Sequence, residues 1–343
     1  MATTNNAEDA AAPLADSKGV VPLTTWVLIS NFKVAYHLLR RPDGSFNRHL
    51  AEFLDRKAPA NAMPSDGAAS KDIIIDRAIG LWGRLFWASD AYADPRVSLR
   101  KQPLLVYFHG GSFVHSSANS SIYDAMCRRI AKMCGVVVFS VNFRRAPEHR
   151  CPAAYEDGAT CIRWAKSFLG RQCLAQVGCD PSRCFAAGDS SGGNIAHNVA
   201  VMMADEGVEL SGTVLLMPMF GGQQRTPAER LLDGKYFVSI KDRDWYWRAF
   251  LPPGSNRDHP ACDPFSPIAP SLVDVPLLPC LAVVGGFDIL QDWQLRYVHS
   301  MQRAGKPVQL LFLEQATMGF FLLPNTELFY TLVEKLKEFF AEQ

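Results

Sequence analysis

The sequence lacks the features that would place it in several other protein classes. It contains no run of about eighteen apolar residues, which excludes a membrane-spanning helix. The net charge is only +1 at pH 7, and lysine and arginine are spread along the chain, so no nucleic-acid-binding face is indicated. The nine cysteines are odd in number and form no C-x-x-C pair, which favours reduced, intracellular thiols. We expect neither a metal ion nor a cofactor.

The chain also has no internal repeat and no histidine after His299. Residues 1–19 are rich in alanine, asparagine and aspartate without periodicity, and we predict that they are disordered. With 343 residues, 48% of them hydrophobic, the chain can bury a large core as one domain plus an appendage. The absence of a late histidine bears on the catalytic motif that the chain contains.

That motif is G-x-S-x-G, formed by Gly188, Ser190 and Gly192. The pattern is typical of a tight strand-to-helix turn that exposes a serine hydroxyl above a parallel sheet. Residues 195–200 have a helical pattern, and the amides at a helix N-terminus favour negative charge beside the serine. We refer to residues 188–192 as the elbow.

A second motif supports the elbow. Residues 104–108 have the apolar pattern of a buried strand, and the sequence His-Gly-Gly-Ser follows at once at residues 109–112, here termed the H-G-G loop. In lipase- and esterase-type hydrolases such a loop supplies amides to the oxyanion hole, together with the residue after the nucleophile. The sequence therefore predicts that Gly110, Gly111 and Ser191 are oxyanion-hole donors.

The acid of a catalytic triad is present, but its histidine is not. A strand at residues 281–284 leads to Asp288, which places this carboxyl at the sheet edge where the triad acid belongs. The histidine is expected after the last strand, residues 308–313, and Met318 stands there instead. Without an adjacent base the hydroxyl of Ser190 is a weak nucleophile. Donors aimed at an oxyanion can still hold a carboxylate, so we expect a site that binds an acid and is not an enzyme.

The order of elements predicts an α/β-hydrolase fold, with a mostly parallel central sheet and helices on both faces. Buried strands alternate with helices from Pro103 onward, and a possible edge strand lies at residues 72–76. We assign residues 58–343 to this core. Within it, residues 220–267 form an insertion that we expect to wall the pocket.

Residues 20–57 are predicted to form a helical lid. A first helix begins at Thr24 or Thr25 and ends near Arg41, and a short second helix covers residues 47–55. The first helix has more apolar surface than one packing face needs, so one face can close a pocket while the other offers anchors to a partner. The alternative is an N-terminal extension that only packs on the core.

Four segments resemble the plant gibberellin receptors, a non-catalytic group in the hormone-sensitive-lipase-like branch of the α/β-hydrolases. They are WVLISNFK at 26–33, HGGSFVHSSANS at 109–120, GDSSGGNIAHN at 188–198 and DRDWYW at 242–247. The resemblance covers nearly everything from Val20 to the C-terminus. The match at residues 26–33 matters most, because catalytic relatives would not be expected to share the lid.

The resemblance implies that the ligand is a gibberellin, a rigid diterpenoid acid. It also implies that the closed lid recruits DELLA-type repressors for ubiquitin-dependent degradation. The protein itself is implied to lie in the nucleus and also in the cytoplasm. The residues implied to bind the carboxylate are Ser112, Ser190, Tyr123 and Arg243, beside Gly110 and Gly111. The other implied ligand-binding residues are Ile29, Phe32, Lys33, Tyr36, Arg40, Phe237, Val238, Asp242, Tyr246, Met318, Gly319, Phe321 and Leu322. The implied partner anchors are Leu23, Trp26, Leu50 and Phe53.

Two residues depart from the family pattern. The family usually has a small branched aliphatic residue where Met318 stands and a tyrosine where Phe321 stands, so one hydroxyl near the carboxylate is missing. A hydrogen bond to a charged group contributes about 1.5–3 kcal/mol, and we therefore expect weaker or less selective hormone binding. Two alternatives stay open: an active carboxylesterase that uses Ser190 and Asp288, and a divergent relative that binds another small acid or no ligand.

Overall fold

The computed structural model describes residues 34, 37–41, 43–88, 101–236 and 238–343. Residues 1–19, predicted to be disordered, lie outside this set, as does most of the first predicted lid helix. Of that helix, Val34 and residues 37–39 are described, and they are helical. The second predicted lid helix is confirmed as α1, Arg48–Leu54, which begins after the side-chain cap of Asn47.

A central sheet of eight strands organises the described residues. The strands are β1 (Ala68–Asp76), β2 (Leu81–Ala88), β3 (Gln102–Phe108), β4 (Val137–Asn142), β5 (Cys179–Asp189), β6 (Gly212–Leu216), β7 (Cys280–Gly285) and β8 (Val308–Leu313). Their order is β1-β2-β4-β3-β5-β6-β7-β8. Strand β2 pairs antiparallel with β1 and β4, and the remaining neighbours pair in parallel. This is the mostly parallel sheet that the sequence predicted.

Helices cover both faces of the sheet. They are α2 (Ser121–Cys134), α3 (Ala153–Lys166), α4 (Phe168–Ala175), α5 (Ser191–Asp205), α6 (Pro227–Leu232), α7 (Ile240–Phe250), α8 (Gln291–Arg303) and α9 (Glu327–Glu342). Alternate residues of β3 enter two separate cores, with Val106 packed among residues of α3, α5 and α8, and Leu105 among residues of α2 and α9. Burial on both faces explains why the parallel strands are continuous apolar runs.

The outer hairpin of the sheet contains a buried charge. Arg84 of β2 donates to Asp72 Oδ1 of β1 at 2.6 Å and to Asp124 Oδ1 of α2 at 3.0 Å. The predicted edge strand at residues 72–76 lies within β1 and is confirmed, whereas β2 was not predicted. None of the helices in the described ranges is both long and apolar enough to cross a bilayer.

Candidate functional site

The elbow connects β5 to α5 and places Ser190 at the carboxyl edge of the sheet. Ser190 has φ 52° and ψ −118°. A Cβ atom on Gly188 would lie 2.3 Å from the carbonyl carbon of Gly192, and one on Gly192 would lie 1.9 Å from the Phe108 carbonyl oxygen. Glycine is therefore required on both sides of the serine, because the backbones of the elbow and of β3 are in direct contact.

Two of the predicted donors, one in the H-G-G loop and one in the elbow, keep their amides for an external acceptor. Gly111, in the H-G-G loop, has φ 114°, and a Cβ atom there would lie 2.6 Å from the His115 carbonyl oxygen. Within the described residues, neither the Gly111 amide nor the Ser191 amide donates to a protein acceptor. Since the elbow packs against the start of the H-G-G loop, both can serve an acceptor that does not belong to the protein.

Asp189 organises the H-G-G loop from beneath, a role that sequence reasoning missed. Its Oδ1 accepts from Tyr107 Oη at 2.7 Å and from the Gly110 amide at 2.9 Å, and its Oδ2 accepts from Tyr123 Oη at 3.0 Å. Burial raises the pKa of Asp189 to about 6, although these hydrogen bonds favour the charged form.

This contact corrects the prediction for Gly110. Its amide donates to Asp189, so it fixes the loop and does not point at an external anion. The same carboxylate accepts the Tyr123 hydroxyl, which was expected beside the ligand carboxylate. Asp189 is the second residue of the G-x-S-x-G motif, but its tyrosine partners are 66 and 82 positions away, so the motif alone gives no indication of the network.

Asp288 lies where the sequence placed it, after β7 at the same edge as Ser190. Its Oδ1 accepts from the Leu290 amide at 3.1 Å, and its Oδ2 accepts from Gln294 Nε2 at 2.6 Å. Burial raises the pKa of Asp288, while the Leu290 hydrogen bond and the positive charge of Arg243 oppose the rise. Gln294, on α8, was not predicted as a partner of this carboxyl.

The loop after β8 folds back over the end of β7. The Phe287 amide donates to the Ala316 carbonyl at 3.1 Å, and a Cβ atom on Gly285 would lie 2.5 Å from the same oxygen. Met318 and Phe321 follow in this loop and are 8% and 1% exposed. Both side chains belong to the apolar cluster that also contains Tyr123.

The hydrogen bonds of the histidines do not involve the elbow. Three buried histidines interact with other groups: His109 with the Gly110 carbonyl, His115 with Tyr246 and His197 with Tyr297. In the described ranges, which include all eight histidines, no hydrogen bond joins an imidazole to Ser190 or Asp288.

Helix α7 brings a positive charge to the H-G-G loop. Arg243 Nη1 donates to Ser112 Oγ at 3.1 Å and lies 3.2 Å from Met219 Sδ. One turn away, Tyr246 Oη lies 2.7 Å from His115 Nε2. Burial lowers the pKa of His115 well below its usual value, so this imidazole is neutral. The charge facing Ser112 therefore comes from the arginine.

The N-terminal segment contacts the same helix. Arg40 Nη2 donates to Asp242 Oδ1 at 2.5 Å, and its guanidinium lies 5.1 Å from the centre of the Tyr246 ring. The Trp245 indole donates to the Arg41 carbonyl at 3.2 Å. Residues 40 and 41 are thus attached to the insertion that follows β6.

Helix α1 is attached to the segment after the H-G-G loop. Arg48 donates to the carbonyls of Val114 and Ala146 and to Glu148 Oε2, the last at 2.8 Å. Leu50 is half-buried and packs against the core, whereas Phe53 is 84% exposed, and the use of both as partner anchors stays a prediction.

The remaining predicted residues are divided between the described and undescribed parts of the chain. Val238 is buried, Gly319 has φ 84°, and the Leu322 carbonyl accepts from Arg129 Nη2 at 3.0 Å. The predicted residues that lie outside the described ranges are Leu23, Trp26, Ile29, Phe32, Lys33, Tyr36 and Phe237.

Comparison with known proteins identifies the family. Residues 105–322 match a family model described as alpha/beta hydrolase fold. The chain is 54% identical over 335 residues to the gibberellin receptor GID1C of Arabidopsis thaliana, covering 95% of this chain and 96% of that protein. It is 48% identical over 340 residues to the gibberellin receptor GID1 of Oryza sativa subsp. japonica, covering 94% and 95%. The chain belongs to the gibberellin receptor family.

This receptor family is related to carboxylesterases. The probable carboxylesterase 6 of Arabidopsis thaliana is 38% identical over 231 residues, covering 66% of this chain and 67% of that protein. The structure of a hyperthermophilic esterase from the archaeon Pyrobaculum calidifontis superposes with a TM-score of 0.73 at 25% identity, covering 94% of this chain and 98% of that one. The predicted α/β-hydrolase fold is confirmed.

Proposed function

We propose that this chain is a gibberellin receptor that binds the hormone's carboxylate at the elbow and does not hydrolyse esters. The observation that carries the proposal is the combination of available amides at Gly111 and Ser191 with an elbow serine that has no histidine partner in the described residues. The similarity to named gibberellin receptors over nearly the whole chain supports gibberellin as the ligand.

A carboxylate suits this site for electrostatic reasons. It carries in its ground state the negative charge that an ester develops only in the transition state, so the same donors can hold it permanently. Arg243, which is buried and hydrogen-bonded to Ser112, supplies a compensating positive charge. In this proposal Ser112, Ser190 and the amides of Gly111 and Ser191 bind the carboxylate, and Gly110 acts only through Asp189.

The absence of catalysis follows from Met318. We propose that Met318, in the loop after β8, stands at the position where a catalytic histidine would lie. A thioether cannot accept the serine proton, and general acid–base catalysis typically contributes about 10²–10⁴-fold to a rate. What would remain is the small residual activity of an oxyanion hole without a triad.

The N-terminal segment would close over the ligand and present a surface to a partner. The bond between Arg40 and Asp242 supports an attachment of this segment to the proposed pocket wall. The exposed Phe53 and Leu38, 84% and 65% accessible, would be anchors on the outer surface. We propose that the partner is a DELLA-type repressor, marked for ubiquitin-dependent degradation in the nucleus, with the receptor also present in the cytoplasm.

Calorimetric titration with a gibberellin and with its methyl ester tests the ligand. The acid should bind and the ester should bind far more weakly, because the ester lacks the charge that Arg243 and the amides compensate. Arg243→Met should reduce the affinity for the acid by about tenfold or more, as expected when a charged hydrogen bond is lost. Arg248→Met, on the exposed side of the same helix, is the matched control and should change nothing. Equal affinities for acid and ester would contradict the proposed mode.

An active carboxylesterase is the second candidate, favoured by the intact elbow geometry and by the esterase relatives. It predicts hydrolysis of a p-nitrophenyl ester that disappears in Ser190→Ala. Hydrolysis well above the uncatalysed rate and dependent on Ser190 would replace the receptor proposal.

A further inference from the structure

A cavity of about 450 Å³ lies at the opposite edge of the sheet from Ser190. It is formed where β6 and β7 begin, between α5, α8 and the segment before β7. His197, Ala200 and Ala204 of α5 line one side at helical spacing, and Tyr297 and Met301 of α8 line the other. Ser190 follows the carboxyl end of β5, so the cavity is separated from the elbow by the length of the strands.

The volume and the walls are those of a small-molecule site. Binding cavities for organic ligands typically measure about 300–1,000 Å³ and combine apolar walls with a few polar groups. Leu210 and Leu277 add to the apolar wall formed by the two alanines and Met301. The hydroxyl of Tyr297 lies 3.0 Å from His197 Nδ1, and both residues are buried.

The polar side chains His197 and Tyr297 of the wall belong to a chain of uncharged hydrogen-bonding groups that continues behind the wall. Tyr297 lies between His197 and the thiol of Cys280, which is itself beside Thr213. Burial lowers the pKa of His197 to about 4 and raises that of Cys280 to about 11, so neither side chain is charged at pH 7. His197 Nδ1 is engaged by Tyr297, and within the described residues this is the one hydrogen bond of the imidazole, so Nε2 remains for a ligand.

The charge of the cavity selects the ligand class. Among the described residues that line it, none is lysine or arginine, and the one charged side chain is the exposed Glu209. A bound carboxylate would be desolvated without a counter-charge, which is costly. An uncharged molecule with a hydroxyl group can satisfy Nε2 in either tautomer of the imidazole, because a hydroxyl both donates and accepts.

We propose that this cavity is a second ligand site, which binds an uncharged, apolar alcohol through its ring skeleton and one hydrogen bond to His197. The site differs from the elbow in location and in the charge of its ligand.

Binding of menthol, a ten-carbon cyclic alcohol, tests the proposal by calorimetry and by saturation-transfer NMR on the full chain. p-Menthane-3-carboxylic acid, which adds a charge to the same ring, should bind at least about tenfold more weakly. His197→Phe removes the ring nitrogens but keeps an aromatic ring, and it should weaken menthol binding by up to about tenfold, the loss of one neutral hydrogen bond. His299→Phe, at an exposed position of α8, is the matched control and should bind menthol like the unaltered protein.

Ala204→Phe locates the site independently of His197. Ala204 is half-buried on the cavity wall, so a larger side chain there fills the space without disturbing the polar chain. We expect menthol binding to be lost while thermal unfolding stays cooperative, and this variant decides if His197→Phe does not fold. The proposal is overturned if menthol does not bind, if Ala204→Phe binds it undiminished, if the acid binds equally well, or if a gibberellin displaces it by competition.

Discussion

Ser190 and Met318 differ in what each could contribute to ester hydrolysis. Ser190 keeps the backbone geometry of a nucleophile: its amide donates to the carbonyl of Leu216 at the end of β6, and its carbonyl accepts from the amide of Met219. Met318 has no proton-accepting group, and its side chain is buried in an apolar cluster. The acid Asp288 accepts a hydrogen bond from Gln294, and no imidazole in the described residues donates to it. In the proposed receptor, this site therefore binds its ligand without transferring a proton.

Restoring the base should restore part of the chemistry. In Met318→His an imidazole would be available to the Ser190 hydroxyl, and we expect p-nitrophenyl acetate hydrolysis to rise by about 10²-fold or more. The double variant Met318→His with Ser190→Ala should show no gain. A correctly folded Met318→His protein with unchanged activity would show that residue 318 is not the seat of the base.

Phe321 predicts an affinity effect at the same site. In Phe321→Tyr the added hydroxyl can donate to the ligand carboxylate, so the dissociation constant for a gibberellin should fall by about tenfold. Phe320→Tyr, at the neighbouring buried position, is the matched control and should not improve binding. An unchanged dissociation constant in Phe321→Tyr would refute this account of the departure from the family pattern.

At the scale of elements, one arginine joins α1 to the body of the protein. The guanidinium of Arg48 is about one-fifth exposed and bonds to the carbonyls of Val114 and Ala146 and to Glu148. A seven-residue helix is too short to be stable by itself, so these contacts should hold it in place.

Arg48→Met should release α1 without unfolding the sheet. We expect amide hydrogen exchange in residues 48–54 to become about tenfold faster or more, since bonds to a charged group are lost, while exchange in β3 and β5 stays the same. Arg56→Met, at an exposed position just after the helix, provides the control. If exchange in α1 is equal in the two variants, Arg48 is not what holds the helix.

At the scale of the whole molecule, the buried Asp189 makes stability depend on pH. Its pKa is about 6 in the folded protein and 3.8 without burial, so the folded state holds the proton more tightly. The stabilisation from this proton is present below pH 3.8 and is lost as the pH rises through about 6. The difference corresponds to roughly 3 kcal/mol.

Asp189→Asn should remove the pH-dependent contribution of this carboxyl to the free energy of unfolding. Measured by urea unfolding between pH 4 and 7, the stability of the original protein relative to the variant should fall as the pH rises and level off above about 6. Tyr123→Phe deletes a hydrogen bond that lowers the pKa of Asp189. The stability of this variant should therefore continue to fall up to a higher pH than that of the original protein. Parallel stability curves for the original protein and Asp189→Asn would contradict the assignment.

The fold was largely predictable because burial on two faces leaves a strong local signal. The predicted strand at residues 308–313 has the same bounds as β8, and the predicted edge strand at 72–76 lies within β1. Strand β2 was not recognised because its buried Arg84 reads as polar until Asp72 and Asp124 are brought beside it.

The site was predictable only where a motif is contiguous in sequence. The elbow, the H-G-G loop and the position of Asp288 follow from short patterns placed after strands. The partners of Asp189 and the hydrogen bond from Gln294 to Asp288 depend on tertiary packing and were not predicted.

The backbone angles of Ser190 have an energetic consequence. With φ 52° and ψ −118°, this residue is in a region that residues with a Cβ atom rarely occupy, and such strain typically costs about 1–3 kcal/mol. An esterase must tolerate that cost to expose its nucleophile, whereas in the proposed receptor Ser190 is only one of several groups that bind the carboxylate. Ser190→Gly should therefore unfold at a higher urea concentration than Ser190→Ala. A more heat-stable sensor for the same ligand class could be obtained by relieving the backbone strain that esterases must retain at this turn.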